Sequence, residues 1–152
     1  MFYGFEPVYD KNSEILILGS FPSVKSREQN FYYGHPRNRF WKVLEDNYKV
    51  KIENFADKKI DFLLKHKIAL WDIISECEIE GSNDSKIKNY KTADLDIILK
   101  AADIKKILLN GKKAFKIFTD NFLYDHIKVL CLPSTSPANT AFDADKWKRA
   151  LM

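Results

Sequence analysis

Four short apolar runs constrain this chain more than any other feature: 14–19 (EILILG), 68–74 (IALWDII), 104–111 (IKKILLNG) and 127–132 (IKVLCL). None alternates strictly between apolar and polar residues, so each reads as a strand buried on both faces. Segments with helical spacing separate them. Residues 37–48 place Phe40, Trp41, Val43, Leu44 and Tyr48 on one face, with Pro36 suited to a helix start. Residues 55–67 continue as helix, 92–102 form a short helix capped by Thr92, and 143–152 close the chain as helix. In 112–122, Ala114, Phe115, Ile117 and Phe118 are expected to face inward. Strands alternating with helices predict a three-layer α/β/α sandwich around a central, mainly parallel four-stranded sheet. The 152 residues suit a single domain over 1–152.

Composition narrows the function classes. The net charge of +4 is mild, but only four of the 25 basic residues are arginine, and Arg27, Arg37 and Arg39 fall within thirteen positions. Clustered arginine beside aromatics fits phosphate contact, because the guanidinium fork matches phosphate oxygens. Cys77 and Cys131 make no metal or disulfide framework and read as small buried hydrophobes. No signal peptide, transmembrane run or lipidation motif is visible, so a cytoplasmic protein without membrane attachment is expected. The stretch 80–86 (EGSNDSK) reads as a solvated loop. Asn110–Ala114 (NGKKA) lacks the first glycine and the spacing of a phosphate loop, and reads as a strand-to-helix turn.

Ligands of parallel sheets bind beyond the carboxyl ends of the strands. The loops after the first and last runs are therefore expected to carry the chemistry, and they are the most distinctive in the chain. One holds Ser20, Phe21, Pro22 and Ser23 and leads into 29–44 (QNFYYGHPRNRFWKVL), which contains five aromatics and no acidic residue. The other is Leu132–Asn139 (LPSTSPAN).

Together these loops resemble the uracil-DNA glycosylase superfamily. GSFPS stands where that superfamily has a Gly-x-(Asp/Asn)-Pro loop, GHPRNRFW resembles the segment of its mismatch-specific branch, and LPSTSPAN stands where a His-Pro-Ser or Asn-Pro-Ser loop follows the last strand. The combination is most similar to the hypoxanthine-DNA glycosylase (DNA-deoxyinosine glycosylase) branch, and the resemblance runs from Glu14 to about Leu151. It implies a monofunctional DNA repair glycosylase with no metal or cofactor, acting as a monomer on double-stranded DNA that contains a damaged base. The enzyme would flip out hypoxanthine and hydrolyse its N-glycosidic bond to leave an abasic site. The usual water-activating Asp or Asn falls on Phe21, and the His or Asn of the second motif on Leu132. Neither replacement can orient water. The hypoxanthine branch shares this loss and relies on the asparagine of Pro-Arg-Asn, so the resemblance passes the catalytic role to Asn38.

Two further readings keep the fold: a uracil- or mismatch-specific glycosylase, and a non-catalytic nucleic-acid-binding module.

The residue chemistry fits these roles. Asn38 offers an acceptor that could orient water toward C1′ and a donor that could hold the base; as a plain alternative it caps a helix after Pro36. Phe21, Tyr32 and Tyr33 are candidates for stacking on the flipped base. His35 could donate to the leaving purine, touch a phosphate or simply pack in a turn. Arg37 and Arg39, with Ser20, Pro22, Ser23, Ser134, Thr135, Ser136 and Asn139, are the candidate DNA contacts. Phe40 and Trp41 read as core.

Overall fold

The computed structural model describes residues 1–152. Four five-residue strands form one parallel sheet: β2 (Ile15–Gly19), β3 (Ile68–Asp72), β6 (Lys106–Asn110) and β7 (Lys128–Leu132), in the order β3-β2-β6-β7. The continuous apolar runs are explained by their position, because β2, β3 and β6 are buried on both faces. The edge strand β7 is not. Val129 and Leu130 are half-buried and only Leu132 is buried, while Lys128 and Cys131 are exposed, which corrects the expectation of two buried cysteines; only Cys77 is buried.

The helices are α1 (Val24–Gln29), α2 (Phe40–Tyr48), α3 (Ala56–Lys65), α4 (Asp96–Leu99), α5 (Lys112–Asn121) and α6 (Ala144–Leu151). The chain leaves β2 in one direction to reach β3 and leaves β6 in the other to reach β7. Right-handed crossovers therefore put α1–α3 and α5 on opposite faces of the sheet. α6 returns to the first face, where Trp147, fully buried, meets Phe40 edge-on at 6.1 Å. The three-layer sandwich is thus as expected, and Phe40 lies in the core.

Several boundaries differ from the expected ones. The run 68–74 is two strands, because Ile73 turns the chain out of β3 into β4 (Ile74–Glu78). β4 pairs antiparallel with β1 (Phe2–Tyr3) and β5 (Lys88–Thr92), forming a second, three-stranded sheet that no apolar run announces. Thr92 ends β5 and caps nothing. α4 is shorter than expected and its first residue follows Leu95; the turn before it is held by Asp94, whose Oδ1 accepts the Asp96 N–H at 3.2 Å. α2 begins at Phe40 rather than at 37, so Pro36 lies in the preceding turn. α1 is a short helix unforeseen between the first loop and the aromatic stretch, and Ser23 caps it by accepting the Ser26 N–H. The segment 80–86 includes a single 3₁₀ turn, Asp84–Lys86, and folds back onto the first loop.

Candidate active site

The carboxyl ends of the parallel strands meet around one cavity of about 340 Å³, within the usual range of small-molecule sites. It lies where the strand order reverses, between β2 and β6. Gly19 ends β2 in register with Asp72 at the end of β3, and Asn110 ends β6 in register with Leu132 at the end of β7. A Cβ on Gly19 would sit 2.5 Å from Asp72 Oδ1 and 2.6 Å from the Tyr33 hydroxyl oxygen. Only a glycine lets those two side chains share the floor of the cavity.

One wall is the first loop and the aromatic stretch. Phe21 and Pro22 are buried there, and Phe21 lines the cavity. Ser20 Oγ donates to Asp84 Oδ1 at 2.8 Å, and Ser82 Oγ accepts the Val24 N–H at 2.8 Å, so the 80–86 segment closes this wall. Arg27 donates to the Gly81 carbonyl and lies 4.6 Å above the Phe2 ring, which commits it to the fold. Ser26 Oγ accepts the Gly34 N–H at 2.9 Å and ties α1 to the aromatic stretch.

Within that stretch the two tyrosines part company. Tyr32 is 2% exposed, donates its hydroxyl to the Glu6 carbonyl at 2.8 Å, and sits edge-on to Phe5 and Phe31. It touches the cavity but presents most of its ring to the core. Tyr33 adopts a left-handed backbone, φ 52°, which is strained for a bulky residue. That turn stacks its ring on Phe40 at 4.2 Å and sends its hydroxyl to the cavity floor with no partner. Burial, with Asp72 close by, pushes its phenol well above the ordinary tyrosine range.

His35 and Asn38 line the cavity from the turn before α2. His35 Nδ1 accepts the Arg37 N–H at 3.0 Å, so the proton of its neutral ring resides on Nε2. Asn38 Oδ1 accepts the Phe40 N–H at 3.0 Å, which fixes the orientation of the amide. One lone pair of Oδ1 and both Nδ2 hydrogens have no partner in the protein. The capping and catalytic roles weighed for Asn38 are therefore compatible.

The opposite wall is the second loop, held from inside. Thr135 is fully buried; Asn110 Nδ2 donates to its Oγ1 and Asn110 Oδ1 accepts its N–H, both at 3.0 Å. Arg39 donates to the carbonyls of Ser136 (3.2 Å) and Asn139 (2.9 Å) and lies 4.9 Å above Phe142. Asn139 uses both ends of its amide within the loop, toward Ser134 and Ala141. Trp147 of α6 donates to the Pro133 carbonyl at 2.8 Å. Ser134 and Ser136 accept backbone N–H groups, which leaves their hydroxyl hydrogens free. Arg37, by contrast, is exposed and its guanidinium bonds nothing in the protein.

The fold gathers Ser20, Phe21, Pro22, Ser23, Tyr32, Tyr33, His35, Asn38, Ser134, Thr135 and Ser136 around the cavity, while Arg37, Arg39 and Asn139 lie outside its lining. Asp72, Asn110, Ser82 and Asp84 line it as well and were not foreseen. Asp72 and Asn110 had a signal: Asp72 is the lone polar residue that interrupts the run 68–74, and Asn110 the one that closes the apolar part of 104–111. Burial, with Asp84 adding like charge, raises the Asp72 carboxyl from its ordinary value to about 7.

A parallel sheet with its site at the switch point, flanked by these two loops, places the chain among the α/β proteins that bind ligands at the strand ends, and comparison makes the class specific. The family model of the uracil DNA glycosylase superfamily matches residues 6–152, and the chain belongs to that superfamily. It is 40% identical over 117 residues to a hypoxanthine DNA glycosylase of Methanosarcina barkeri, covering 73% of this chain and 72% of that one. It is 36% identical over 147 residues to a hypoxanthine DNA glycosylase of Methanosarcina acetivorans, covering 94% and 91%. The solution NMR structure of a candidate uracil DNA glycosylase from Methanosarcina acetivorans superposes with a TM-score of 0.82 at 32% identity, covering 98% of this chain and 95% of that one.

Proposed function

We propose that this chain is a monofunctional, monomeric DNA glycosylase that removes hypoxanthine from deoxyinosine in double-stranded DNA. A base inside a duplex is out of reach, so the nucleotide must swing into the cavity; unstacking costs a few kcal/mol and is cheapest for a mispaired, deaminated base. The water oxygen bonds to C1′ as the C1′–N9 bond breaks, the electron pair leaves with the purine, and the proton that the water gives up ends on the departing base, so that an abasic sugar and neutral hypoxanthine are released. The transition state has oxocarbenium character at the sugar and negative charge on the base.

The observation that carries this reading is Asn38. Its amide is locked by the Phe40 N–H, and the second Oδ1 lone pair is left for a water. Positioning a nucleophile with a group that need not reorganise is how such sites gain rate. Tyr33 and Phe21 supply aromatic surface for the base, and Arg37 with the free hydroxyls of Ser134 and Ser136 supplies contacts for phosphates. The relatives named hypoxanthine DNA glycosylases support the choice of base.

Labelled duplexes carrying one inosine, uracil or xanthine, followed by alkaline cleavage of abasic sites, test the proposal. The inosine duplex should be cleaved, and Asn38→Ala should lower the single-turnover rate about a hundredfold. A fully active Asn38→Ala protein would remove Asn38 from the chemistry. Binding without abasic product on every base would make the chain a binding module, and preferential cleavage of uracil would reassign the base.

A further inference from the structure

Asp84 stands where an acid is least suited to a site for DNA. It lines the cavity and is exposed to solvent, so its charge meets the polyanion as the nucleotide enters. A like charge there weakens binding. The side chain is nonetheless held firmly in place. Asp84 opens a 3₁₀ turn that Asn83 caps, Asn83 Oδ1 accepting the Ser85 N–H at 3.0 Å. Ser20 Oγ donates to Asp84 Oδ1 at 2.8 Å, and the same segment is fastened twice more, Ser82 to the Val24 N–H and Gly81 to Arg27. Asp84 Oδ2 bonds nothing in the protein. A charged group fixed at the cost of affinity is explained if it binds the transition state better than the substrate.

We propose that Asp84 is a catalytic residue that faces the sugar: its carboxylate stabilises the positive charge that develops on C1′ and the ring oxygen as the glycosidic bond breaks. This rests on the glycosylase reading and deepens it. Glycoside hydrolysis passes through an oxocarbenium-like transition state, and a carboxylate beside the sugar is the group that meets such a cation. The extruded base fills the cavity towards its floor, between Phe21 and Tyr33. The sugar, still tethered to the duplex, stays nearer the solvent, on the side where Asp84 is exposed. The cavity's other carboxyl, Asp72, is only 4% exposed and lies on the floor. Asn38 positions the water and Asp84 supplies the charge. Asp84 forms no bond and moves no proton, so the balance of the reaction is unchanged.

The surroundings suit that role. Desolvation raises the Asp84 carboxyl, while the Ser20 hydroxyl and the charge of Lys113 on α5 draw it down and favour the anion. Because the turn and Ser20 already fix the carboxylate, nothing has to reorganise as the cation forms.

The test compares binding of two duplexes, one carrying a pyrrolidine cation in place of a deoxyribose and one carrying neutral tetrahydrofuran there, beside single-turnover cleavage of an inosine duplex. Wild type should bind the cationic duplex about tenfold more tightly than the neutral one, and Asp84→Asn, which keeps an acceptor for Ser20, should lose most of that preference. Asp84→Asn should also cleave about ten- to a hundredfold more slowly, yet melt as wild type does and bind the neutral duplex at least as tightly. A variant as fast as wild type would overturn the assignment. So would a slow variant that keeps the cation preference, since its defect would be structural, or one that binds the neutral duplex more weakly. Should Asp84→Asn fold poorly, a wild type without cation preference overturns the assignment by itself. If wild type cleaves no deaminated base, the glycosylase reading fails; if it does and Asp84→Asn matches it, only the role of Asp84 fails.

Discussion

Gly19 shows how much one absent methyl group can decide. Its hydrogen faces Asp72 Oδ1 and the Tyr33 hydroxyl, which would lie 2.5 and 2.6 Å from a Cβ, well inside van der Waals contact. Gly19→Ala must therefore displace two buried side chains at once. Overpacking of this kind costs about 1–3 kcal/mol, so the variant should still fold. Its glycosylase rate should fall at least about tenfold, because the displaced groups form the cavity floor. Thermal melts run beside inosine-duplex cleavage separate the two effects, and a variant that melts lower but cleaves normally would show that the floor plays no part.

At the scale of elements, the second loop is the clearest case of a segment built from elsewhere. Arg39 stands before α2, yet its guanidinium serves the carbonyls of Ser136 and Asn139. Arg37, two residues earlier, serves none. Arg39→Ala should cost about 1–3 kcal/mol and loosen 133–142 in amide exchange. Arg37→Ala should leave stability unchanged and reduce the salt slope of DNA binding by about one, the signature of a lost phosphate contact. Reversal of that pattern would exchange their roles. The same contrast explains what could be read from the chain. β2, β3 and β6 were legible because burial on both faces demands unbroken apolar runs. β4 and β5 were not, because ISECE mixes charge with half-buried positions and KNYKT is polar and almost wholly exposed, so both resemble loop. The two site loops stood out through proline, glycine and hydroxyl residues. Asp72 was hidden inside the run 68–74, which reads as one strand, and Asn110 because a lone polar residue closing an apolar run looks like a strand terminus. Arginine clustering suggested phosphate contacts, but whether a guanidinium points at solvent or at a carbonyl a hundred residues away depends on tertiary packing.

For the whole molecule, Asp72 couples the site to stability. Its carboxyl rises from 3.8 to about 7 on folding. A raised carboxyl adds stability that is fully present below its unfolded value and lost as pH climbs through its folded one. Relative to Asp72→Asn, which does not titrate, the wild-type protein should lose on the order of a few kcal/mol between about pH 4 and pH 8, as urea melts at those two pH values would show. A constant difference between the two proteins would mean that Asp72 titrates normally. The sutures of the cavity also span the chain: Arg39 bonds residues 97 and 100 positions later, and Trp147 fastens the loop that they share. During synthesis the aromatic wall leaves the ribosome long before its opposite wall exists. A nascent chain that has released β6 but not α6 holds half a pocket and nothing to close it, so competence to act on DNA waits for α6.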